Sequence, residues 1–486
     1  MNFQRNISFV FLLVVYFFIY TAFLHVQVNI QAGSLVSSFP KYTNVLLVAI
    51  ESSSVLLIGL LATFVFPVYF LLIISLSSLM IGISFFTAVA FLNNTKDIQL
   101  RLNLGGIIMF GIFYGTFRLL LLCMILDQEQ SHFIKRKIIG WLGVINFSFI
   151  LVYMIPSPIQ HPNLMLFPVS FSIIGIILLF FGKFRKIYAV DSNIVNVFQL
   201  MKRFNWSEEL LISEADINDS ERNLISISKS IIFFFLLIPY GICDSQTRFA
   251  YQYQSNHMKI PNWNGSLSSL TRKSNFWPIT LNCLTVILAY FVLILLKEMN
   301  KSQFIQMLFS SIKLQIITGN ILMILSTTIG GILELFRLNI YWSYDPKARI
   351  PSIYSFNQTI GNITYKAADL TVFAMVPQIV LDGISEVIIT TTCIEFMYKQ
   401  SKKSIKYLGI ALFLAADGSG GFSDLFFTIY TFYHESLEND LNNCHLDYIY
   451  FGLAGVAFFS WIISIILINR FPHRFTIVQS QKNYES

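Results

Sequence analysis

The 486-residue chain is poor in charge: Asp, Glu, Lys and Arg make up 12% of it, whereas soluble globular domains carry about 25%. Its five cysteines contain no Cys-x-x-Cys spacing, so neither a metal site nor a disulfide framework is indicated. The sequence also lacks a phosphate-binding loop, a His-Glu-x-x-His motif, a nucleophile elbow and a dinucleotide-binding glycine motif. These absences exclude an ordinary soluble domain, and they leave enzymatic chemistry, a metal or an organic cofactor without a carrier.

Apolar residues are abundant instead, at 55% of the chain, and 48 residues are phenylalanine. Spanning a bilayer takes about 20 mainly apolar residues, and twelve windows of that kind occur. They lie near residues 8–26, 44–66, 67–92, 104–126, 136–155, 164–182, 228–250, 276–296, 311–336, 370–396, 405–430 and 446–469. We expect the first window to be a membrane helix rather than a signal peptide, because no small-residue cleavage site follows it.

One long polar interval divides the twelve windows into two sets of six. This plan predicts an all-α membrane protein with the major facilitator fold. The N-terminal half would comprise residues 1–183 and the C-terminal half residues 227–470, with a cytoplasmic linker at 184–226 and a cytoplasmic tail at 471–486. Windows two and three run together, with only Phe66 and Pro67 between them.

The basic residues account for the net charge of +7 and set the orientation. With the N-terminus in the cytoplasm, about two thirds of the Lys and Arg residues fall in cytoplasmic segments, as the positive-inside rule requires. The excess therefore indicates membrane topology rather than binding of nucleic acid. Sequons at Asn357 and Asn362 fall in the noncytoplasmic loop before helix ten, and we predict glycosylation there. Asn205 and Asn218 also stand in sequons, but in the cytoplasmic linker.

Charged residues inside the windows are candidates for function, because each costs about 2.5–3.5 kcal/mol to insert into a membrane. Arg118 lies in the middle of window four, where it either pairs with Glu51 of window two or contacts a substrate. Asp244 and Arg248 of window seven are four residues apart, so we expect a structural ion pair on one helix face.

Further polar residues lie in windows seven and ten. Gln246 and Tyr251 lead into a polar run from Gln254 to His257, which suits a water-filled cavity or the wet end of a helix. Asp382 and Glu386 are again four residues apart, and two like charges on one face repel unless one is protonated or paired. We expect Glu386 to bind a proton or a substrate amine, with Asp382 and Glu51 as further proton-coupling candidates; neutralisation of Glu386 by Arg118 or Arg248 is the structural alternative.

Three stretches of the C-terminal half resemble a known family. They read IPYGICDSQTRFAYQYQSNHMKIP at 238–261, NQTIGNITYKAADLTVFAMVPQIVLDGISEVIITTTCIEFMY at 357–398 and NNCHLDYIYF at 442–451. These stretches resemble the proton-coupled oligopeptide transporter family, also called solute carrier family 15, and in particular its peptide/histidine transporter branch. The N-terminal half is similar through Arg118, the Asp127-Gln128 pair and GVIN ending at Asn146.

The resemblance implies roles for individual residues. Arg118 would be the cation of helix four that faces substrate and coupling carboxylates, Asn146 would contact substrate, and Glu386 would be the helix-ten glutamate that holds a peptide's amino end. Two family motifs are missing: helix one has no Glu-x-x-Glu-Arg, and the charged motif between helices two and three is absent. Without these motifs, two questions stay open: whether the chain couples transport to protons, and whether its cytoplasmic ends are held together as the halves rock.

Three functions therefore remain in competition. The leading one is a secondary transporter of histidine, di- or tripeptides or related solutes in an endolysosomal or plasma membrane, binding its substrate between Arg118 and Glu386. A proton-independent uniporter is the second. The third is a non-transporting membrane scaffold or regulator that binds a cytoplasmic adaptor protein.

Overall fold

The computed structural model describes twelve α-helices connected by segments that are described only in part. The described residues are 2–31, 40–91, 96–127, 134–154, 166–184, 219–261, 276–299, 311–342, 351–360, 363–400, 406–433, 442 and 445–470. The predicted tail at 471–486 and most of the predicted linker lie outside these ranges.

The helices follow the predicted windows in number and order. They are α1 (Asn2–Gln31), α2 (Pro40–Phe64), α3 (Val68–Phe91), α4 (Lys96–Asp127), α5 (Ile134–Met154), α6 (Leu166–Phe184), α7 (Asp219–Asn256), α8 (Phe276–Met299), α9 (Ile312–Tyr341), α10 (Val376–Gln400), α11 (Lys406–Tyr433) and α12 (Leu446–Arg470). We call α1–α6 the N-terminal half and α7–α12 the C-terminal half by their order in the chain.

The helices have the length and composition of membrane spans. Within the described residues, eight helical segments are long and apolar enough to cross a bilayer, and three further apolar segments are shorter. Large apolar side chains such as Phe235, Phe291 and Phe459 are exposed on the outside of the bundle, which suits contact with lipid. The predicted all-α membrane fold is confirmed.

Two helix boundaries differ from the predicted windows. A turn at residues 65–67 separates α2 from α3, and this agrees with the break predicted at Phe66 and Pro67. In contrast, α7 begins at Asp219, before the end of the predicted linker, and α10 begins only at Val376. Residues 370–375, which we assigned to the tenth window, are instead the end of a strand and a 3-10 turn.

A three-stranded sheet, which the sequence did not predict, lies at the end of the C-terminal half that the predicted topology places on the noncytoplasmic side. It comprises β1 (Met258–Lys259), β2 (Ser355–Ile360) and β3 (Ile363–Thr371) in the order β1-β3-β2. β2 and β3 form an antiparallel hairpin, and β1 pairs with β3 in parallel. The Gln358 side chain donates to the carbonyls of Asn256 and Met258 over 2.9 and 2.6 Å, which joins the hairpin to the end of α7.

Aromatic packing holds the N-terminal half together. Tyr16 and Tyr20 of α1 stack on each other with ring centroids 5.1 Å apart. Tyr16 also stacks on Phe117 of α4 and meets Trp141 of α5 edge-on. Stacked and edge-on rings are stabilising beyond their buried area, so these aromatic residues fix helices α1, α4 and α5 around the position of Arg118.

Candidate functional site

Arg118 of α4 contacts two carboxylates from two other helices. Its Nη1 lies 3.4 Å from Oε1 of Glu51 on α2, and its Nη2 lies 2.9 Å from Oδ2 of Asp417 on α11. Glu51 belongs to the same half as Arg118, whereas Asp417 belongs to the other half. We call these three residues the Arg118 triad; it joins the two halves inside the bundle.

Depth in the membrane follows from helix geometry. Arg118 precedes the end of α4 at Asp127 by nine residues, and a rise of 1.5 Å per residue places it about 13 Å from that end. With Asp127, the last residue of the candidate span Arg101–Asp127, taken as the membrane edge, a hydrocarbon layer about 30 Å thick puts the triad near the middle of the bilayer. Transporters of the major facilitator type bind substrate at this level.

Aromatic rings enclose the other side of the Arg118 guanidinium. Its Cζ lies 5.8 Å from the ring centre of Tyr114 and 5.7 Å from that of Trp141, within the range of cation–π attraction. The Tyr114 and Tyr20 hydroxyls share a hydrogen bond of 3.3 Å. The rings stabilise the cation without neutralising it, so the charge of the triad is set by its two carboxylates.

Small residues allow the three helices to approach at the triad. A Cβ added at Gly115 of α4 would lie 2.5 Å from the backbone oxygen of Glu51, a separation that side chains do not tolerate. At Gly418, next to Asp417, an added Cβ would collide with the Ser52 hydroxyl, which donates to the Gly418 carbonyl over 3.0 Å. Glycine at both positions is therefore a condition of the Arg118–Glu51 and Arg118–Asp417 contacts.

A second cluster of ionisable residues lies in the C-terminal half. The carboxylates of Asp244, Asp382 and Glu386 all interact electrostatically with the hydroxyl of Tyr240 on α7. That hydroxyl shares a hydrogen bond of 3.1 Å with Ser385. Asp382 is fully buried, and Glu386 is partly exposed. Within the described residues no group of His, Cys, Asp and Glu is placed to hold a metal ion.

The other predicted site residues are spread over the bundle. The Asn146 amide donates to the Leu142 carbonyl of its own helix over 3.0 Å, and Gln246 is buried in α7. The Tyr251 hydroxyl shares a hydrogen bond of 2.7 Å with Ser326 of α9. The predicted partner of Asp244 is Arg248, whose side chain lies outside the described residues, and so does Asn362. Asn357 is exposed on β2.

Part of the chain is similar in sequence to known membrane transport proteins. No model of a known protein family matches the chain. The chain is 26% identical to mouse solute carrier family 15 member 3 over 254 residues, which is 48% of this chain and 42% of that protein. It is 28% identical to Arabidopsis thaliana protein NRT1/PTR family 8.2 over 165 residues, 32% of this chain and 26% of that protein. The matches thus span less than half the length of these curated relatives.

Solved structures match over almost the whole chain. An auto-inhibited peptide transporter of the POT family gives a TM-score of 0.62 at 15% identity, with 98% of each chain covered. A POT family transporter in complex with 5-aminolevulinic acid gives a TM-score of 0.57 at 12% identity, over 97% of this chain and 96% of the other. The chain is thus similar in fold to transporters of the POT family, and part of it is similar in sequence to solute carrier family 15 and NRT1/PTR family proteins.

Asp417 is the residue of the Arg118 triad that sequence reasoning missed. It stands in the small-residue stretch AADGSGG of window eleven, and its charge inside an apolar window was the signal that could have found it. Helix α1 contributes tyrosines near Arg118, and the carboxylates that contact Arg118 lie on α2 and α11.

A second ion pair joins the two halves at the end that the topology assigns to the cytoplasm. Lys406 Nζ, at the start of α11, lies 2.5 Å from Oδ2 of Asp127, at the end of α4. Tyr398 of α10 donates to the other Asp127 oxygen over 2.9 Å. We call Asp127, Tyr398 and Lys406 the cytoplasmic latch, after the end of the bundle to which the predicted topology assigns them.

A buried polar network at the opposite end corrects a prediction. Arg337 directly follows the ninth predicted window, 311–336, and was therefore expected in a loop, but it is inside α9 and fully buried, paired with Glu334 over 2.6 Å. Gln254 donates to Glu334 over 3.1 Å and receives hydrogen bonds from Gln378 and Tyr450. Gln254 to His257 are buried at the end of α7 rather than exposed to water, as the second of the two predicted readings would have them.

Proposed function

We propose that this chain is a secondary transporter that moves di- and tripeptides, histidine or related small zwitterions across a membrane, driven by a proton gradient. The observation that carries the proposal is the Arg118 triad: a guanidinium near the bilayer centre whose two carboxylate partners come from different halves. Because such a contact closes or opens as the halves rock, it couples the occupancy of Arg118 to the conformation of the bundle.

The substrate ends fit the two charged clusters. A guanidinium binds a carboxylate through paired N–H donors, so the C-terminal carboxylate of a peptide would take the place of Asp417 on Arg118. The α-ammonium group would bind Glu386, and the buried Asp382 lies one helical turn away on the same helix. Asn146, Gln246 and Tyr251 are proposed as further substrate contacts, and Tyr251 must leave Ser326 to make one.

Localisation and modification belong to the same proposal. We propose an endolysosomal or plasma membrane, with Asn357 and Asn362 glycosylated on the noncytoplasmic side. The exposed position of Asn357 on β2 supports access by the glycosylation machinery. A cytoplasmic adaptor is proposed as a partner only if transport fails.

Uptake by proteoliposomes tests the proposal. Purified protein is reconstituted, the inside and outside pH are set independently, and uptake of labelled histidine and of a labelled dipeptide is measured. Accumulation driven by an inward proton gradient is the expected result. Exchange that ignores the gradient would indicate a uniporter, and no flux under any gradient would favour the scaffold and overturn transport.

The matched variant is Glu386→Gln, which removes a negative charge without changing the size of the side chain. Dipeptide uptake should be lost, because the ammonium group loses its partner. Glu395→Gln serves as the control, since Glu395 is on the same helix but pairs with Lys399 over 2.7 Å near its far end. Normal dipeptide kinetics in Glu386→Gln would refute the amine site.

A further inference from the structure

The Arg118 triad contains one positive group and two negative ones. The guanidinium contacts Glu51 and Asp417, and the remaining neighbours on its other side, Tyr114 and Trp141, are neutral aromatic residues. With both carboxylates ionised the triad carries one net negative charge near the centre of the bilayer. An uncompensated charge is costly in a medium of low polarity, and binding of one proton removes it.

We propose that Asp417 carries the exchangeable proton of this transporter, and that its protonation opens the Arg118–Asp417 contact between the halves. The inference rests on the proposed transport function. It also assigns proton coupling to α11, in a chain that has no acidic residue on helix one.

Asp417 is the better placed of the two carboxylates. Its side chain is 31% exposed, against 10% for Glu51, so water reaches it more readily. Glu51 and Arg118 belong to the same half and can stay together while the halves rock. Asp417 belongs to the other half, so its separation from Arg118 is the event that movement of the halves requires.

Among the side chains that the structure describes, Arg118 is the cation that faces Asp417. Glu51 comes from α2, Arg118 and Tyr114 from α4, and the Cys393 thiol from α10. Helix α7 contacts this part of α11 through Ile238, Gly241 and Ser245, none of which has a titratable side chain. Lys406, which is the cation described on α11 itself, pairs with Asp127.

The cycle balances in protons and charge. A proton from the noncytoplasmic water binds the Asp417 carboxylate and forms its O–H bond, and the triad becomes neutral. Arg118 stays protonated, and its Nη2–H then donates to the substrate carboxylate. After the halves rock, the Asp417 carboxyl releases the proton to cytoplasmic water, the substrate leaves, and Arg118 pairs with Asp417 again.

The test compares two modes of transport in the same proteoliposomes. Asp417→Asn should lose accumulation driven by the proton gradient, down to the level reached without one, while exchange of labelled for unlabelled dipeptide continues. Asp417→Glu should restore accumulation. Asp369→Asn is the control, because that carboxylate forms an exposed ion pair with Lys259 outside the bundle.

Several outcomes overturn the inference while leaving transport intact. The first is that Asp417→Asn accumulates dipeptide under the gradient as well as the unchanged protein does. The second is that Glu51→Gln loses gradient-driven accumulation whereas Asp417→Asn keeps it. If the unchanged protein moves no dipeptide, the proposed function fails, and infrared difference spectra between alkaline and acidic buffer decide the proton site separately. A carboxylic acid C=O band that Asp417→Asn removes supports the site, and a band unaffected by this change refutes it.

Discussion

The guanidinium of Arg118 and the carboxylate of Asp417 lie 2.9 Å apart, although 299 positions separate them in the chain. The contact bridges α4 and α11, and therefore the two halves. At the cytoplasmic end the same two helices meet again through Asp127 and Lys406. These two ion pairs between the halves therefore both join α4 to α11. The Arg118–Asp417 pair is near the centre of the bilayer, and the Asp127–Lys406 pair is at its edge.

Arg118 should determine recognition of the substrate carboxylate. In Arg118→Gln we expect the KM for a dipeptide to rise by roughly tenfold or more, since a charge-assisted hydrogen bond contributes about 1.5–3 kcal/mol. The same dipeptide with an amidated C-terminus should be transported equally by both proteins. Arg101→Gln is the control, because Arg101 is exposed on the same helix. Undiminished preference for the free carboxylate in Arg118→Gln would contradict the role.

The cytoplasmic latch should limit access to the bundle from that side. Cys123 is fully buried one helical turn before Asp127, so its alkylation by a maleimide, mapped by mass spectrometry, reports opening. In Lys406→Gln we expect roughly tenfold faster labelling, which corresponds to a loss of about 1.4 kcal/mol of closing free energy. Asp127→Asn should act in the same way, and the double variant should add little. Lys259→Gln, which breaks an exposed pair, should leave labelling unchanged.

Stability should depend on the buried pair at the noncytoplasmic end. Arg337→Met leaves Glu334 buried without its cation, so we expect a loss of about 3–5 kcal/mol in the free energy of unfolding. The double variant Glu334→Leu/Arg337→Met should recover most of this loss, because neither charge then remains buried. Thermal unfolding in detergent measures both. Equal destabilisation by the single and double variants would show that shape rather than charge is the cause.

Glycosylation tests the topology. Asn357 is exposed on β2, so Asn357→Gln should increase electrophoretic mobility. Endoglycosidase treatment of both proteins should reduce the difference in mobility between the variant and the unchanged protein. Thr359→Val, which destroys the same sequon, should give the same shift. Asn205→Gln should change nothing, because its sequon is predicted to lie in the cytoplasm. A mobility shift with Asn205→Gln would show that the membrane orientation is the reverse of the predicted one.

Local patterns predicted much of the fold. The twelve helices follow from apolar runs of spanning length, and the α2–α3 break follows from Pro67, whose ring and missing N–H favour a chain turn. The hairpin of β2 and β3 was not predicted, because the short polar stretch from Ser355 to Thr371 carries no long alternation and precedes a helix directly. Its register depends on contacts with α7, such as those of Gln358.

The candidate site was predictable only in part. Arg118, Glu51 and Glu386 were found because a charge inside an apolar window is expensive whatever its partner. Arg337 was assigned to a loop because it follows the last apolar residues of its window, and only burial against Glu334 and Asn442 places it in the protein interior.

The sequence by itself determined the membrane environment, the number of helices and their predicted orientation, since these depend on the hydrophobicity and charge of short segments. Tertiary structure alone decided which carboxylates meet Arg118. Pairing of α2, α4 and α11 depends on glycines at Gly115 and Gly418 that let the backbones approach. Such contacts between distant segments depend on the packing of whole helices, which no local pattern encodes.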